Sequence, residues 1–199
     1  HAMEPEKGRN AAVLLAKFLK NELETGVGAE FVRFVTDVFD GDHTGATLGF
    51  NYYDEMSGET TLNPGIVTFN EKGGAIEVSM RYSVTYPFDE KMTEVQAHMA
   101  ETPFILDVAG DSKPHYVPED DELVQTLLSV YQKHTNDFSK VLSTGGGTYA
   151  RVLKKGVAFG MLYPGELDVA HQADEFVVVD NLLKAAAIYA EAIVKLASK

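Results

Sequence analysis

Cysteine is absent from this 199-residue sequence. Its absence excludes a disulfide framework and any zinc site built on cysteine thiolates. No apolar run is long enough to cross a bilayer, so we expect no membrane partner. No secretory signal peptide is visible at the polar start of the sequence. Together these absences predict a cytoplasmic protein.

Positive charge is scarce, since 17 Lys and Arg face 30 Asp and Glu and leave a formal net charge of −13. Non-specific nucleic-acid binding relies on basic patches, so the composition argues against a nucleic-acid partner. The ordinary interpretation of such a charge is a solvated acidic surface. Hydrophobic residues make up 45% of the chain, which is enough to bury the core of one large domain or two small ones.

Helical and strand periodicities alternate along residues 1–112. Helices are predicted over residues 11–24, 30–39 and 88–99, and strands over 48–54, 60–70 (with a break at Asn63-Pro64), 75–84 and 104–108. The order helix, strand, strand, helix, strand is typical of a split βαβ or ferredoxin-like pattern. We therefore predict an α/β (α+β) chain whose first 112 residues form a ferredoxin-like domain.

Residues 113–199 form a second segment with little material for a core of its own. Helices are predicted over residues 120–134 and 180–197, the second with Asp180 as its N-cap. The apolar run Val157–Leu162 predicts a strand of the kind that is buried in the middle of a sheet. Because this segment supplies few neighbouring strands, we expect the chain to be part of a larger assembly.

Three consecutive glycines, Gly145, Gly146 and Gly147, precede Thr148 and make this loop the first candidate for a binding site. Glycine allows sharp turns and close approach of the backbone to a ligand. The loop is not a Walker A motif, because no lysine follows the glycines, and it is not G-x-G-x-x-G. Its backbone N–H groups would suit a carboxylate or a phosphate. The alternative is a tight turn without a ligand.

Three single residues are further candidates. His171 is of the residue type that most often binds metals or acts as a general base, but a lone histidine is commonly structural or merely exposed. No H-x-x-x-H or H-E-x-x-H motif supports a self-contained zinc site. Arg81, on the polar face of a strand, is either a receptor for a carboxylate or an exposed surface residue. His1 is either a purification remnant or a native residue.

Several of these stretches together resemble one known family. Gly145-Gly146-Gly147-Thr148-Tyr149-Ala150-Arg151 and Ala170-His171-Gln172-Ala173-Asp174-Glu175 resemble the carboxyl end of PepV-like dipeptidases. These are co-catalytic zinc peptidases related to carboxypeptidase G and aminoacylase. The start, from His1 to Ala11, resembles the motif of that family's lid domain. Met80-Arg81-Tyr82 and Lys113-Pro114-His115-Tyr116-Val117-Pro118 also fit, so the resemblance runs nearly end to end.

The resemblance implies a role for each candidate. His171 matches the last ligand of a two-metal site, and Arg81 matches the lid arginine that grips the carboxylate of a dipeptide substrate. His1 matches the lid histidine that stabilises the oxyanion, and Gly145–Thr148 match the loop around the carboxyl end of the substrate. The implied cofactor is zinc, two ions in the intact parent, with manganese or cobalt as alternatives. The implied reaction is peptide-bond hydrolysis by a water that the two metals activate and a glutamate deprotonates.

The sequence departs from this family in one large respect. The His-x-Asp motif and the Glu-Glu pair that carry its other metal ligands and its general base do not occur. The resemblance therefore implies a carboxyl-terminal fragment, with residues 1–112 as a lid portion and 113–199 as the closing segment of the catalytic domain. Its partner would be the missing amino-terminal half of that domain, and the fragment should be inactive by itself. Two alternatives stay open, a non-catalytic module that binds small carboxylates at Arg81 and Gly145–Thr148, and a scaffold without a site.

Overall fold

The structure, a computed structural model, describes residues 2–198 and divides them into two compact units. The first unit runs to Pro114 and also includes Ser143–Gly146, whereas the second comprises His115–Leu142 and the residues from Gly147 onward. The prediction of a mixed α/β fold is confirmed, with five α-helices and two short antiparallel sheets in the described residues. Between residues 2 and 198, no helix has both the length and the apolar character that a membrane span requires.

The first unit contains three helices and two β-hairpins. Its elements in chain order are α1 (Ala11–Lys20), α2 (Val27–Phe39), β1 (Tyr53–Asp54), β2 (Gly58–Glu59), β3 (Thr61–Asn70), β4 (Gly73–Arg81) and α3 (Phe88–Met99). The prediction of α3 is confirmed at both ends. Helix α1 ends at Lys20 rather than at the predicted Glu24, and α2 begins at Val27, so that Gly28 lies inside a helix.

The hairpin of β3 and β4 is the main sheet of the first unit. Its antiparallel register runs from Thr61 opposite Arg81 to Asn70 opposite Gly73. The predicted break at Asn63-Pro64 takes the form of an irregularity between Pro64 and Ile66 within a continuous strand. Proline cannot donate to a strand ladder, so it is tolerated at such a bulge.

Helix α1 is joined to this hairpin by its N-cap, Asn10. The Asn10 side chain accepts a hydrogen bond from the backbone N–H of Val13 at 3.1 Å, which caps the helix. Its amide nitrogen donates to the carbonyl oxygen of Pro64 at 2.8 Å. One side chain thus sets where α1 begins and fixes that point to β3.

The core of the first unit lies between the helices and the hairpin. Val13 of α1, Val35 of α2, Leu62 of β3 and Val95 of α3 are all buried in one hydrophobic cluster. Phe34 and Phe104 stack at its edge with ring centroids 3.9 Å apart. The β3–β4 hairpin thus lies between α2 and α3 in the chain and shares their core; the ferredoxin-like domain stays a prediction.

Two predicted strands of the first unit are wrong, one in its extent and one in its existence. Of residues 48–54 only Tyr53 and Asp54 are strand, because Ala46–Leu48 form a 3₁₀ helix between Gly45 and Gly49, both of which have left-handed backbones. Residues 104–108 form no strand ladder within the described part of the chain. Phe104 is held there by stacking on α2 rather than by pairing with a strand.

The second unit contains two helices, α4 (Glu122–Thr135) and α5 (Val179–Ala197). Val130, Ile188 and Ala192 are buried where these helices meet. The predicted strand Val157–Leu162 does not form in the described residues; instead the carbonyl oxygen of Phe159 accepts a hydrogen bond from the Tyr189 hydroxyl at 3.0 Å. A strand needs a partner ladder, and this segment has none. The N-cap of α5 is Val178, so Asp180 lies in the first helical turn rather than at the cap.

Helices α4 and α5 are also joined by a charged cluster around Glu191. The Glu191 carboxylate lies 2.8 Å from Lys133 Nζ, 2.8 Å from His134 Nε2 and 3.4 Å from Lys195 Nζ. Hydrogen bonds from Lys133 and then from His134 lower the pKa of Glu191 from 4.5 to about 2. The ionised carboxylate therefore stabilises the pairing of the two helices.

We predict that Leu62→Ala lowers the free energy of unfolding by about 2–5 kcal/mol, because it leaves a cavity in a well-packed core. Leu62 is 2% exposed, whereas Leu15 on the outer face of α1 is 58% exposed. The control Leu15→Ala should therefore change stability by less than about 0.5 kcal/mol. Urea denaturation, followed by circular dichroism, measures the free energy of unfolding of both variants. An equal loss of stability in the two would contradict the assigned core.

The stability of the second unit should depend on pH through Glu191. Because its pKa is lower in the folded state, Glu191 contributes its full stabilisation above pH 4.5 and loses it as the pH falls toward 2. Glu191→Gln should be less stable than wild type at neutral pH and should lose less stability between pH 4.5 and 2. Thermal unfolding at a series of pH values tests this, with the exposed Glu175→Gln as control. An unchanged pH dependence in Glu191→Gln would refute the assignment.

Candidate functional site

Arg81 is the last residue of β4 and lies opposite Thr61 of β3. It is half-buried, and its Nε is buried without a hydrogen-bond partner among the described residues. An unpaired buried donor costs free energy. A guanidinium presents its donors as a planar fork that matches a carboxylate. The structure therefore places at this position an arginine with unused capacity to bind an anion, rather than a fully solvated surface residue.

The beginning of the chain lies beside the same pair of residues. The Thr61 hydroxyl donates a hydrogen bond of 2.7 Å to the carbonyl oxygen of Ala2. Thr61 thus connects the start of the chain to the strand position opposite Arg81. His1, which precedes Ala2 in the sequence, lies outside the described residues.

The first half of the glycine loop also lies in this unit, next to Met3. The Thr144 hydroxyl lies 3.2 Å from the Met3 sulfur. A Cβ atom built on Gly145 would lie 2.8 Å from Met3 Cγ, closer than side chains normally approach. None of Gly145, Gly146 and Gly147 has a positive φ. The loop therefore needs glycine at position 145 for close packing and not for an unusual backbone conformation.

The segment that follows Arg81 is held in place by Asp54. The Asp54 carboxylate accepts hydrogen bonds from the backbone N–H of Thr85 at 3.0 Å and of Ser57 at 2.6 Å. Burial by itself would raise the pKa of Asp54, but hydrogen bonds from Ser57 and Thr85 lower it to about 2. The carboxylate is therefore ionised, and it holds in place the residues that follow Arg81 in the chain.

Tyr82, the next residue after Arg81, belongs to an aromatic cluster. Its ring centroid lies 5.1 Å from that of Tyr86 and 5.3 Å from that of Phe88. Its hydroxyl donates a hydrogen bond to Asp111. Burial, and then this hydrogen bond, raise the pKa of Tyr82 above its ordinary value, so the phenol is neutral and acts as a donor. These contacts limit the freedom of the strand end that carries Arg81.

Gly147 and Thr148, the second half of the predicted loop, belong to the second unit. Thr148 is the N-cap of a short 3₁₀ helix, Tyr149–Val152, and its carbonyl oxygen accepts a hydrogen bond from the backbone N–H of Arg151 at 3.3 Å. Thr148 thus joins the glycine loop directly to the 3₁₀ helix that follows it.

Two long-range contacts anchor the segment that follows this 3₁₀ helix. His115 Nε2 donates to the carbonyl oxygen of Gly156 at 2.6 Å, and Lys155 Nζ lies 2.9 Å from Asp121 Oδ2. Asp121 also caps α4 by accepting from the backbone N–H of Leu123 at 2.8 Å. The sequence pattern indicated no such role for His115, because the contact joins positions far apart in the chain.

His171 is exposed and lies in a loop of the second unit. Its φ of 63° is left-handed, as is the φ of 59° at Asp174, a conformation that non-glycine residues adopt at a cost. Asp168 shapes this loop by accepting a hydrogen bond from the backbone N–H of Ala170 at 3.0 Å. The imidazole is thus presented to solvent on a loop with an unusual but locally supported backbone.

The residues present do not make a complete metal site. Between residues 2 and 198, no group of three or more His, Asp or Glu side chains is arranged to hold a metal ion. Metal sites normally need three or four protein ligands. His171 therefore belongs to no complete metal site among the described residues.

A groove of about 590 Å³ lies elsewhere in the first unit and is lined by residues that include Asp42, His43 and Thr60. Arg81 and the glycine loop do not line it. The Asp42 carboxylate accepts backbone hydrogen bonds from Gly45 at 2.8 Å and from Thr47 at 2.7 Å. Burial alone would raise the pKa of Asp42, but hydrogen bonds from Thr47 and Thr44 lower it to about 2. Asp42 thus organises the loop and is not free to bind a ligand.

Comparison with known proteins gives a consistent result. The sequence profile of Peptidase family M20/M25/M40 matches residues 9–195. The chain is 45% identical over 198 residues to "Putative dipeptidase YtjP" of Bacillus subtilis (strain 168), a match that covers 99% of this chain and 42% of that protein. It is 34% identical over 197 residues to "Putative dipeptidase SSP1012" of Staphylococcus saprophyticus, covering 98% of this chain and 42% of that protein.

These matches confirm the resemblance to dipeptidases that the sequence motifs indicated. The chain spans 42% of the length of both relatives, so more than half of each relative lies outside the match. The family profile, by contrast, covers nearly all of this chain. The chain therefore belongs to the peptidase family M20/M25/M40.

Proposed function

We propose that this chain is part of a metal-dependent dipeptidase and that it supplies residues that bind the substrate. One observation carries the proposal, the buried and unpaired Nε of Arg81 at the end of β4. A dipeptide has a free carboxylate at its end, and a partly desolvated guanidinium is the side chain best suited to bind it. The printed names of the relatives, both dipeptidases, agree with a substrate of this class.

The surroundings of Arg81 support this role. Thr61 lies opposite Arg81 in the hairpin and binds the carbonyl oxygen of Ala2. We propose that His1, the neighbour of Ala2 in sequence, stabilises the oxyanion that forms when the peptide bond is attacked. Support for this role of His1 comes from the family resemblance and from the place of Ala2.

The glycine loop is proposed to line the carboxyl end of the substrate. Gly145 carries no side chain that would cover its backbone N–H, and such groups bind carboxylates well, whereas the backbone N–H of Gly146 already donates to Thr144 Oγ1 at 3.1 Å. Gly147 and Thr148 continue the loop toward the 3₁₀ helix that begins at Tyr149. The role of these four residues rests on the match to the family motif.

We also propose that His171 supplies one ligand of a metal site whose other ligands lie outside this chain. Zinc is the proposed metal, with manganese or cobalt as alternatives, and the bound metals would activate the attacking water. On this proposal residues 1–112 are a lid portion and residues 113–199 are the closing segment of the catalytic domain. The chain alone would then bind substrate weakly and would not hydrolyse it.

The test is to titrate the chain with alanyl-alanine and, separately, with its carboxyl-terminal amide, using NMR chemical shifts. We expect the free dipeptide to shift the signals of Arg81 and Thr61 and the amide to have little effect. Arg81→Ala should weaken binding by about tenfold or more, because hydrogen bonds to a charged partner contribute about 1.5–3 kcal/mol. Arg81→Lys should bind with intermediate affinity, since it keeps the charge and loses the fork.

Arg9→Ala is the matched control, because it removes the same charge at an exposed position of the same unit. Equal binding of the dipeptide and its amide, or full binding by Arg81→Ala, would refute the role of Arg81. Carboxylate binding that is never accompanied by hydrolysis, even with the rest of the Bacillus subtilis relative present, would favour the alternative of a non-catalytic carboxylate-binding module.

A further inference from the structure

Helix α5 is apolar on two sides, and this chain covers only one of them. Ala185, Ile188 and Ala192 are buried and lie on one side of the helix. Residues on the opposite side are exposed, with Leu183 and Ile193 each at 65% and Val194 at 62%. A helix that is apolar nearly all round is normally buried on both sides.

The charged side chains of α5 occupy a narrow strip. With successive residues about 100° apart, Asp180, Lys184, Glu191 and Lys195 project within about 60° of one another. The remaining surface away from α4 carries no charged side chain. The second face is therefore a continuous apolar surface on a helix of 19 residues, larger than the scattered apolar positions of an ordinary protein surface.

The shape of this second face is also regular. Ala186 and Ala190 form its centre, Leu182 and Ile193 flank them on one side, and Leu183 and Val194 flank them on the other. All six residues are exposed. Small residues between two rows of larger ones form a shallow groove into which another element can pack closely.

We propose that this face of α5 is the surface on which the rest of the same polypeptide packs, namely the part that the relatives carry outside the matched region. The inference rests on the proposed function, because it assigns α5 to the closing segment of the catalytic domain. More than half of each relative lies outside the match, so an occupant of sufficient size is available. Covalent linkage would give that occupant a high effective concentration at the face.

A second copy of this chain is the competing occupant. Charged side chains lie along only one border of the face, next to Val194, so the face offers few ion pairs that would orient a symmetric partner. A domain core, in contrast, needs only complementary apolar surface. The apolar character of the face thus favours the core of one domain over an interface between copies.

The experiment is co-expression of the tagged 199-residue chain with an untagged polypeptide that comprises the rest of the Bacillus subtilis relative. We expect the two to copurify. Ile193→Glu places a charge on one flank of the proposed contact and should reduce the copurified amount by roughly tenfold or more, since burying an unpaired charge is unfavourable. Leu183→Glu on the other flank should act in the same way.

Lys184→Glu is the control. This substitution changes the net charge of the chain by more than Ile193→Glu does, but residue 184 lies on the charged strip and not on the second face. It should leave copurification unchanged. Neither Ile193→Glu nor Leu183→Glu should lower the melting temperature of the 199-residue chain alone, since both side chains are exposed there. An unchanged melting temperature separates loss of the contact from loss of the fold.

Failure of copurification with the wild-type chain, or equal copurification of wild type, Ile193→Glu and Leu183→Glu, would overturn the inference. So would a stable dimer of the isolated chain in sedimentation that Ile193→Glu dissociates, because the face would then bind a second copy. Copurification that depends on Ile193 without dipeptide hydrolysis would uphold the inference and refute the proposed function. Dipeptide hydrolysis that is insensitive to Ile193→Glu would uphold the proposed function and refute the inference.

Discussion

The antiparallel pairing of β3 with β4 determines where the candidate site residues and the core residues of the first unit lie. It sets Arg81 opposite Thr61 at the open end of the hairpin, where Thr61 in turn binds the carbonyl oxygen of Ala2. The opposite face of the hairpin supplies Leu62 to the core beneath α1, α2 and α3. A shift of β3 by one residue in this register would turn Leu62 from the core to the opposite face.

The two units differ in how completely they bury their apolar side chains. In the first unit three helices and a hairpin enclose a cluster that includes Val35 and Val95. In the second unit α4 covers one side of α5, and the segment that carries Phe159 and Tyr163 packs beside them. The second unit therefore has helices of normal length but lacks, in the described residues, the sheet on which such helices usually pack.

Local patterns in the sequence predicted the elements that depend on local interactions. Helix α3 and the turn of the β3–β4 hairpin were predictable because the periodicity of the helix and the glycines of the turn are local features of the chain. The strands predicted at 104–108 and at Val157–Leu162 did not form, because a strand depends on a partner elsewhere that an alternating pattern does not specify. The N-cap of α5, predicted at Asp180 and observed at Val178, shows the usual uncertainty of one or two residues at a helix end.

The candidate site was predictable only in its residue types. Arg81 and the glycine loop stand out in the sequence, but the presence of Arg81, Gly145 and Gly146 in one unit with the start of the chain depends on contacts such as Thr61 with Ala2 and Thr144 with Met3. No local signal indicated the left-handed backbone of His171 or the hydrogen bond from His115 to Gly156. Long-range geometry of this kind becomes visible only in the structure.

The central proposal is that this chain carries substrate-binding residues but only one ligand of a metal site. Calorimetric titration of the 199-residue chain with zinc tests it directly, with dipeptide hydrolysis assayed in the same samples. The account predicts binding no tighter than that of a single exposed imidazole, weakened but not abolished by His171→Ala because His98 is also exposed, and no hydrolysis. Two tight zinc sites with turnover would contradict it, and would mean that the metal ligands lie among histidines and acids of this chain that we have assigned to other roles.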